Sequence, residues 1–217
     1  LNKNFNNQEF FSLIEQVYNY GYQNIKLYFM IGLPSEREED LGGIIELANQ
    51  VSELRRKAKK MLNPHNAEGI YMGPGRVNIS INTLIPKPHT PFQWLKMEGI
   101  ENIKYKQGFL LRKVKNKRLK LSMHNPYMSF LEAALSRGDR RLSQVIFAAF
   151  TKGARFDAWE NYFAFDIWLD AFKDSHINPD FYLQEKSKDE LLPWDLLDVG
   201  ISKESLIEES EKLIAIK

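Results

Sequence analysis

The sequence predicts an α/β fold, with parallel β–α units over residues 1–123 and a mainly helical extension over residues 124–217. Helical and strand patterns alternate through the first part, which is the order that builds a parallel sheet with right-handed crossovers. From Pro126 onward the strand signal stops, and helical segments follow one another, parted by Gly138 and Gly153. The 43% apolar content supports a sizeable core, and 27% charged residues do not describe a disordered chain.

Each element has its own signal. Phe10, Phe11, Ile14, Val17 and Tyr18 recur at helical spacing over Gln8–Tyr20, and Gly21 ends that helix. Ile25–Ile31 is a nearly continuous apolar run, which suits a strand buried on both faces. Gly32-Leu33-Pro34 breaks it, and Ser35 with Glu38 three residues on predicts a capping box opening a helix from Glu36 to Met61. That helix ends on Arg55, Arg56, Lys57, Lys59 and Lys60, cations suited to the negative pole of a helix dipole. Asn63–Arg76 reads as a loop and Val77–Ile85 as a second strand. The three prolines of Pro86–Pro91 force the chain out of the sheet. Glu101–Lys117 is predicted helical, and Arg118–Met123 is a third strand. In the second part, helices are predicted over Pro126–Arg137, Asp139–Lys152, Asp157–Lys173 and Ser202–Ile216. The third of these is rich in aromatics (Trp159, Tyr162, Phe163, Phe165, Trp168, Phe172), a pattern expected to be core.

Composition narrows the function classes. The net charge is +2, so binding to nucleic acid through overall charge is not indicated. No apolar run approaches the roughly 20 residues of a membrane span, no signal peptide is visible, and the cytoplasm is the expected compartment. The chain has no cysteine, which excludes a disulfide framework or a cysteine-held metal or iron–sulfur site made from its own residues, and no metal ligands are assigned. Its first residue is leucine, and a piece of a longer protein is expected.

Ligands of parallel α/β folds sit beyond the carboxyl ends of the strands. Two such ends are visible, Gly32–Glu36 and Pro86–Trp94. At the first, Gly32 permits close backbone approach and Glu36 can accept from an amine or hydroxyl. The same residues equally make a tight turn and a favourable first helical turn. At the second, a stiff loop carrying His89, Thr90, Gln93 and Trp94 reads as a substrate wall or as a rigid connector. Arg137, Arg140 and Arg141 around Asp139 offer guanidinium forks for an acidic group, or cap the helices they adjoin. Arg155, Asp157 and Trp159 either face a binding mouth or fix helix packing.

Taken together these strings resemble a family. Ile25–Glu36, with its Gly-Leu-Pro-Ser-Glu turn, resembles the fifth-strand motif of radical S-adenosylmethionine enzymes, and Val77–Asn82 followed by Pro86–Trp94 resembles the sixth strand and its loop. Ser136–Arg141, Gly153–Trp159 and Leu192–Asp195 narrow the similarity to a largely uncharacterised subfamily that often carries a cobalamin-binding-like domain. The resemblance implies the C-terminal portion of a partial (βα)6 TIM-like barrel. It implies cofactor contacts from Met30, Gly32, Leu33, Glu36 and Asn82, and substrate-side positions at Lys87, His89, Arg137 and Arg140. It also implies S-adenosylmethionine and a 4Fe–4S cluster in the parent protein, with cobalamin a further cofactor of the subfamily. The family's Cys-x-x-x-Cys-x-x-Cys loop and first four strands are absent from this chain. The expected partner is therefore the N-terminal half of the barrel, and the chain alone is expected to be inactive. Its open strand edges predict self-association. Two alternatives stand beside this reading: a non-catalytic binding or assembly module, and part of an RNA-modifying enzyme, since methylthiolating members of the superfamily act on tRNA.

Overall fold

A computed structural model describes residues 6–57 and 73–215. The end of the predicted second helix (Met61, with Lys59 and Lys60), most of the Asn63–Arg76 loop and Ile216 lie outside the described residues. The chain divides into two compact units: Leu1–Ile31, Glu36–Asn82 and Tyr105–Met123 form one, and Gly32–Ser35, Thr83–Lys104 and His124–Lys217 form the other. A unit boundary falls after residue 123, while the loops that follow the first two strands belong to the second unit.

The first unit is an α/β layer. Helix α1 (Asn7–Asn19) starts where the Asn6 side chain accepts from the amides of Gln8 and Glu9, and Gly21 closes it at φ +92°. Strands β1 (Asn24–Ile31), β2 (Arg76–Thr83) and β3 (Leu119–Met123) form a small parallel sheet in the order β1-β2-β3. Val77 pairs with Leu119 and Ile81 with Met123. Helices α2 (Glu38–Lys57) and α3 (Ile100–Lys113) make the crossovers. The Tyr105 hydroxyl of α3 donates to the Glu38 carboxylate at the start of α2, and the Asn116 amide, just after α3, donates to Asn49 of α2 at 3.0 Å. Val77, Ile79 and Ile81 of β2 are buried, as are Ile44, Ala48 and Val51 of α2.

Two expectations are corrected here. Helix α2 begins at Glu38, not Glu36, and Ser35 does not cap it. Ser35 sits at φ +63°, and the cap is instead the Arg37 amide donating to the Asp40 carboxylate at 2.8 Å. Strand β1 is not buried on both faces: exposure alternates along it, and Tyr28 and Met30 are 67% and 45% exposed. The continuous apolar run hid the alternation because tyrosine and methionine count as apolar on either face.

The second unit is helical. It contains α4 (Pro126–Ser136), α5 (Leu142–Thr151), α6 (Phe165–Asp174), the short α7 (Asp180–Leu183) and α8 (Lys203–Ala215). Leu131, Val145, Trp168, Phe172 and Tyr182 meet in one core cluster, and Trp94, Leu192, Trp194 and Leu206 form another. The predicted Asp157–Lys173 helix is shorter than expected. Helix α6 starts only at Phe165; before it the chain makes short turns, with the Trp159 amide donating to the Phe156 carbonyl and the Tyr162 amide to the Trp159 carbonyl, and Asp157 accepts from the Trp168 indole at 3.1 Å. The aromatics consequently divide: Trp168 and Phe172 are core, whereas Trp159 and Tyr162 are exposed.

Candidate functional site

Consider first the open face of the sheet. Along β2, Val77, Ile79 and Ile81 are buried, while Asn78 and Asn82 are exposed and Ser80 is half-buried. The registered partners on β3 continue the row: Lys120 lies opposite Asn78 and Ser122 opposite Ser80. On β1 the exposed positions are Lys26, Tyr28 and Met30, with the Lys26 ammonium 4.8 Å from the Tyr28 ring centre. Met30 and Asn82, two of the residues expected to contact cofactor, thus belong to the exposed rows of their strands, and Asn82 needs no buried partner.

Glu36 behaves differently. Its side chain is 5% exposed and pairs at 2.7 Å with Lys106, itself 13% exposed. A carboxylate so placed is held by an internal cation, and this contact anchors the start of α2 to α3.

Within the second unit a cavity of about 430 Å³ opens beside the turn Gly32–Ser35. Gly32 has φ +84°, and a Cβ there would meet Ile103 Cδ1 at 3.2 Å and lie 3.7 Å from a Glu98 carboxylate oxygen. Leu84, Leu95 and Met97 supply apolar lining. Lys96, Glu98, Asn102 and Glu185 supply the charged and polar lining. Gly32 and Leu33 line this cavity. Lys96, Glu98, Asn102 and Glu185 were missed, since isolated charged residues ahead of a helix or in a loop read as solvated surface.

One wall of this cavity is built by pairing. The Met97 amide donates to the Leu183 carbonyl at 2.9 Å, and the Lys186 amide donates to the Trp94 carbonyl at 2.8 Å. The two segments run antiparallel across that pair, which sets Leu95 and Lys96 beside Gln184 and Glu185. Arg137 fastens them. Its guanidinium donates to the carbonyls of Leu95 at 2.8 Å, Gln184 at 2.9 Å and Pro86 at 3.3 Å. Arg137 is 0% exposed, and burial pushes it down to about 10. It is thus a clamp behind the wall, not a group presented to substrate. Burial likewise pulls Lys186 below its ordinary value.

The remaining expected positions are accounted for by local structure. Lys87 pairs with Glu132 at 2.5 Å. The His89 amide donates to Gln93 Oε1 at 2.9 Å, and that same oxygen accepts from the Trp194 indole at 2.7 Å. Gln93 and Trp94 are buried, so this loop is a stiff connector. Asp139 takes the amide and guanidinium of Arg141, which holds its carboxyl below the usual range, and leaves Arg140 exposed. Arg155 donates to the Phe150 and Ala154 carbonyls and stacks 3.5 Å over the Phe150 ring, a packing role. Among the described residues no group of three or more His, Cys, Asp or Glu could hold a metal ion, and no helix is long and apolar enough to cross a membrane.

No protein-family model matches the chain, and no solved structure matches it. It is similar to an uncharacterized protein of Methanocaldococcus jannaschii, with 25% identity over 177 residues. The match covers 82% of this chain and 35% of that protein, so the chain spans about a third of the relative's length.

Proposed function

We propose that this chain is the C-terminal part of a radical S-adenosylmethionine enzyme, contributing cofactor wall and substrate-side structure to a partial (βα)6 barrel. The observation that carries the reading is the winding of the sheet. Its strands are parallel and adjacent in sequence order, Tyr105 of α3 bonds to Glu38 of α2, and Met30 and Asn82 are exposed. A sheet that winds in one direction puts its helices on one side, as barrels do, whereas a doubly wound sheet reverses. The sequence resemblance supports the same reading, as does a match that covers a third of a much longer relative.

The cofactors divide on the donor set. The cluster needs three thiolates, and a chain with no cysteine does not fit it. No step is assigned to that group here, and its ligands belong to the missing N-terminal half of the barrel. S-adenosylmethionine fits better: exposed Met30 offers an apolar contact to adenine and exposed Asn82 an amide donor and acceptor. When bound with its cluster, that cofactor supplies a 5′-deoxyadenosyl radical. Buried, ion-paired Glu36 orders the turn rather than touching the cofactor.

The test is anaerobic reconstitution of the longer protein with iron and sulfide. Cluster absorption and 5′-deoxyadenosine formation are expected. A folded full-length protein that yields neither overturns the reading.

A further inference from the structure

We propose that the exposed aromatic face formed by α5 and the turns after it joins two copies of this chain across a two-fold axis. This goes beyond the enzyme reading and does not rest on it. The face lies wholly in the second unit, apart from the open strand edges of the first.

Size comes first. Ile146, Phe147 and Phe150 stand on the side of α5 turned away from its buried Leu142, Val145 and Ala149. Arg155 carries the surface onward: its guanidinium lies 3.5 Å over the Phe150 ring, and Phe156 follows it in the chain. The Trp159 amide donates to the Phe156 carbonyl and the Tyr162 amide to the Trp159 carbonyl, each at 2.9 Å, so an aromatic residue recurs at every turn. The Phe156 and Tyr162 rings pack 5.9 Å apart. The five aromatic side chains of this face are 54–71% exposed. At about 200 Å² each, they leave roughly 600 Å² of apolar surface open. That is the upper end of what a monomer leaves in water, and a stable interface buries about 800 Å² per partner. Ile146 and the aliphatic stem of Arg155 supply part of the difference.

Charge selects the occupant. Residues 146–162 include four charged side chains, Lys152, Arg155, Asp157 and Glu160. Lys152 pairs with Asp174 at 2.9 Å, and Asp157 accepts from the Trp168 indole. Arg155 and Glu160 are both exposed. Arg155 donates to the carbonyls of Phe150 and Ala154, and Glu160 accepts from the Asn125 amide at 3.4 Å, so neither has an ion partner among the described residues. Flanking the stretch, exposed Arg140 and Asp166 repeat the balance of one cation and one anion. A basic partner would set like charge against Arg155, and an acidic partner would set it against Glu160. A second copy turned about a two-fold axis answers both: Arg155 of one protomer meets the partner's Glu160, and the pair forms twice. The axis then passes between positions 155 and 160, through the turn that carries Trp159, and Trp159 packs beside the partner's Trp159.

Sedimentation equilibrium of the 217-residue chain measures the association, and tryptophan emission on dilution reports the interface. A dimer with a dissociation constant of about 10 µM is expected. Trp94, Trp168 and Trp194 are buried within the chain, so a red shift on dilution comes from Trp159. Two changes at exposed side chains probe the contact. Trp159→Ser, felt twice across the axis, should weaken the dimer about a hundredfold. Glu160→Lys turns two attractions into two repulsions and should weaken it about tenfold. Salt then separates charge from shape: rising ionic strength should weaken the wild-type dimer and strengthen that of Glu160→Lys. A chain that stays monomeric up to about 100 µM overturns the proposal and leaves the face to a different partner. So does a dimer equally tight in both variants, the outcome expected of pairing at the strand edges, or a dimer that salt moves in the same direction in wild type and Glu160→Lys.

Discussion

Replacing Arg137 tests how the cavity wall is held. Its two shorter bonds, to the carbonyls of Leu95 and Gln184, are charge-assisted, and each contributes about 1.5–3 kcal/mol. Losing both costs about 3–6 kcal/mol. Against this, desolvation of the guanidinium is already unfavourable: its fall from 12.5 to about 10 corresponds to roughly 3 kcal/mol that an uncharged side chain does not spend. Arg137→Met, which keeps the apolar stem, should therefore destabilise the second unit by about 2 kcal/mol. Arg137→Lys should be at least as damaging, at about 3 kcal/mol, since it buries a charge without the planar fork that reaches several carbonyls. All four tryptophans, Trp94, Trp159, Trp168 and Trp194, lie in that unit, so urea unfolding followed by tryptophan fluorescence reports on it. Hydrogen exchange localises the effect: the amides of Met97 and Lys186, which pair across the wall, should lose protection by about tenfold or more in Arg137→Met. An unchanged urea midpoint with unchanged protection at both amides refutes the clamp. A harmless Arg137→Lys would show that charge alone, not fork geometry, is what the site uses.

Two further outcomes follow from the first unit. Lys106→Met leaves the Glu36 carboxylate buried without its cation and should cost about 3–5 kcal/mol, whereas Glu36→Leu combined with Lys106→Met should cost much less than the sum of the single changes; a coupling under about 0.5 kcal/mol by chemical denaturation would refute the pair. Burial pushes Tyr18 up to about 12 from 10.0, so the unfolded chain loses this proton first, and stability should fall by about 2 kcal/mol as pH rises from about 10 to 12. Tyr18→Phe, which also removes a buried hydroxyl without a hydrogen-bond partner, should remove that part of the alkaline loss in circular-dichroism melts and leave neutral-pH stability equal or higher.

The elements with strong local chemistry were legible in the sequence. Asn6–Gly21 carries its own cap and stop, and even short β3 declared itself through β-formers at Leu119–Met123. What failed were features decided by tertiary partners. Ser35-x-x-Glu38 matches a capping box, but the backbone spends Ser35 on a left-handed turn and Asp40 closes the cap instead. The aromatic run from Trp159 has enough apolar residues for a helix, but the chain spends residues 156–162 on tight turns and ties Asp157 to the Trp168 indole. The candidate site was legible at Gly32 and Leu33, where glycine and proline mark a strand end. It was illegible at Arg137, because a basic cluster shows neither which arginine is buried nor that its partners are carbonyls distant in sequence. Glu185 is similarly invisible: its place on the wall comes from the pairing of residues 94–97 with 183–186.

The exposed row on the sheet leads to the last prediction. All-parallel sheets normally have both faces covered. Here the row is polar on β2 (Asn78, Ser80, Asn82) and β3 (Lys120, Ser122), and its large apolar side chains, Tyr28 and Met30, are confined to β1. A second helix layer, as in a doubly wound sheet, would require apolar residues at these positions to exclude water. A lumen that holds a polar ligand requires what is present: short neutral polar groups on the central strand and an apolar contact at Met30. The two covers respond oppositely to Asn82→Leu. Under a helix layer, the added apolar surface would be buried and stability would rise by about 1 kcal/mol in the longer protein. Under a ligand-holding lumen, the longer protein should melt within about 1 kcal/mol of the wild type while its affinity for S-adenosylmethionine falls about tenfold, because Leu cannot replace a lost hydrogen-bonding amide. Differential scanning fluorimetry and equilibrium dialysis with labelled cofactor read the two quantities separately. Stabilisation with unchanged cofactor affinity would refute the barrel reading of this face.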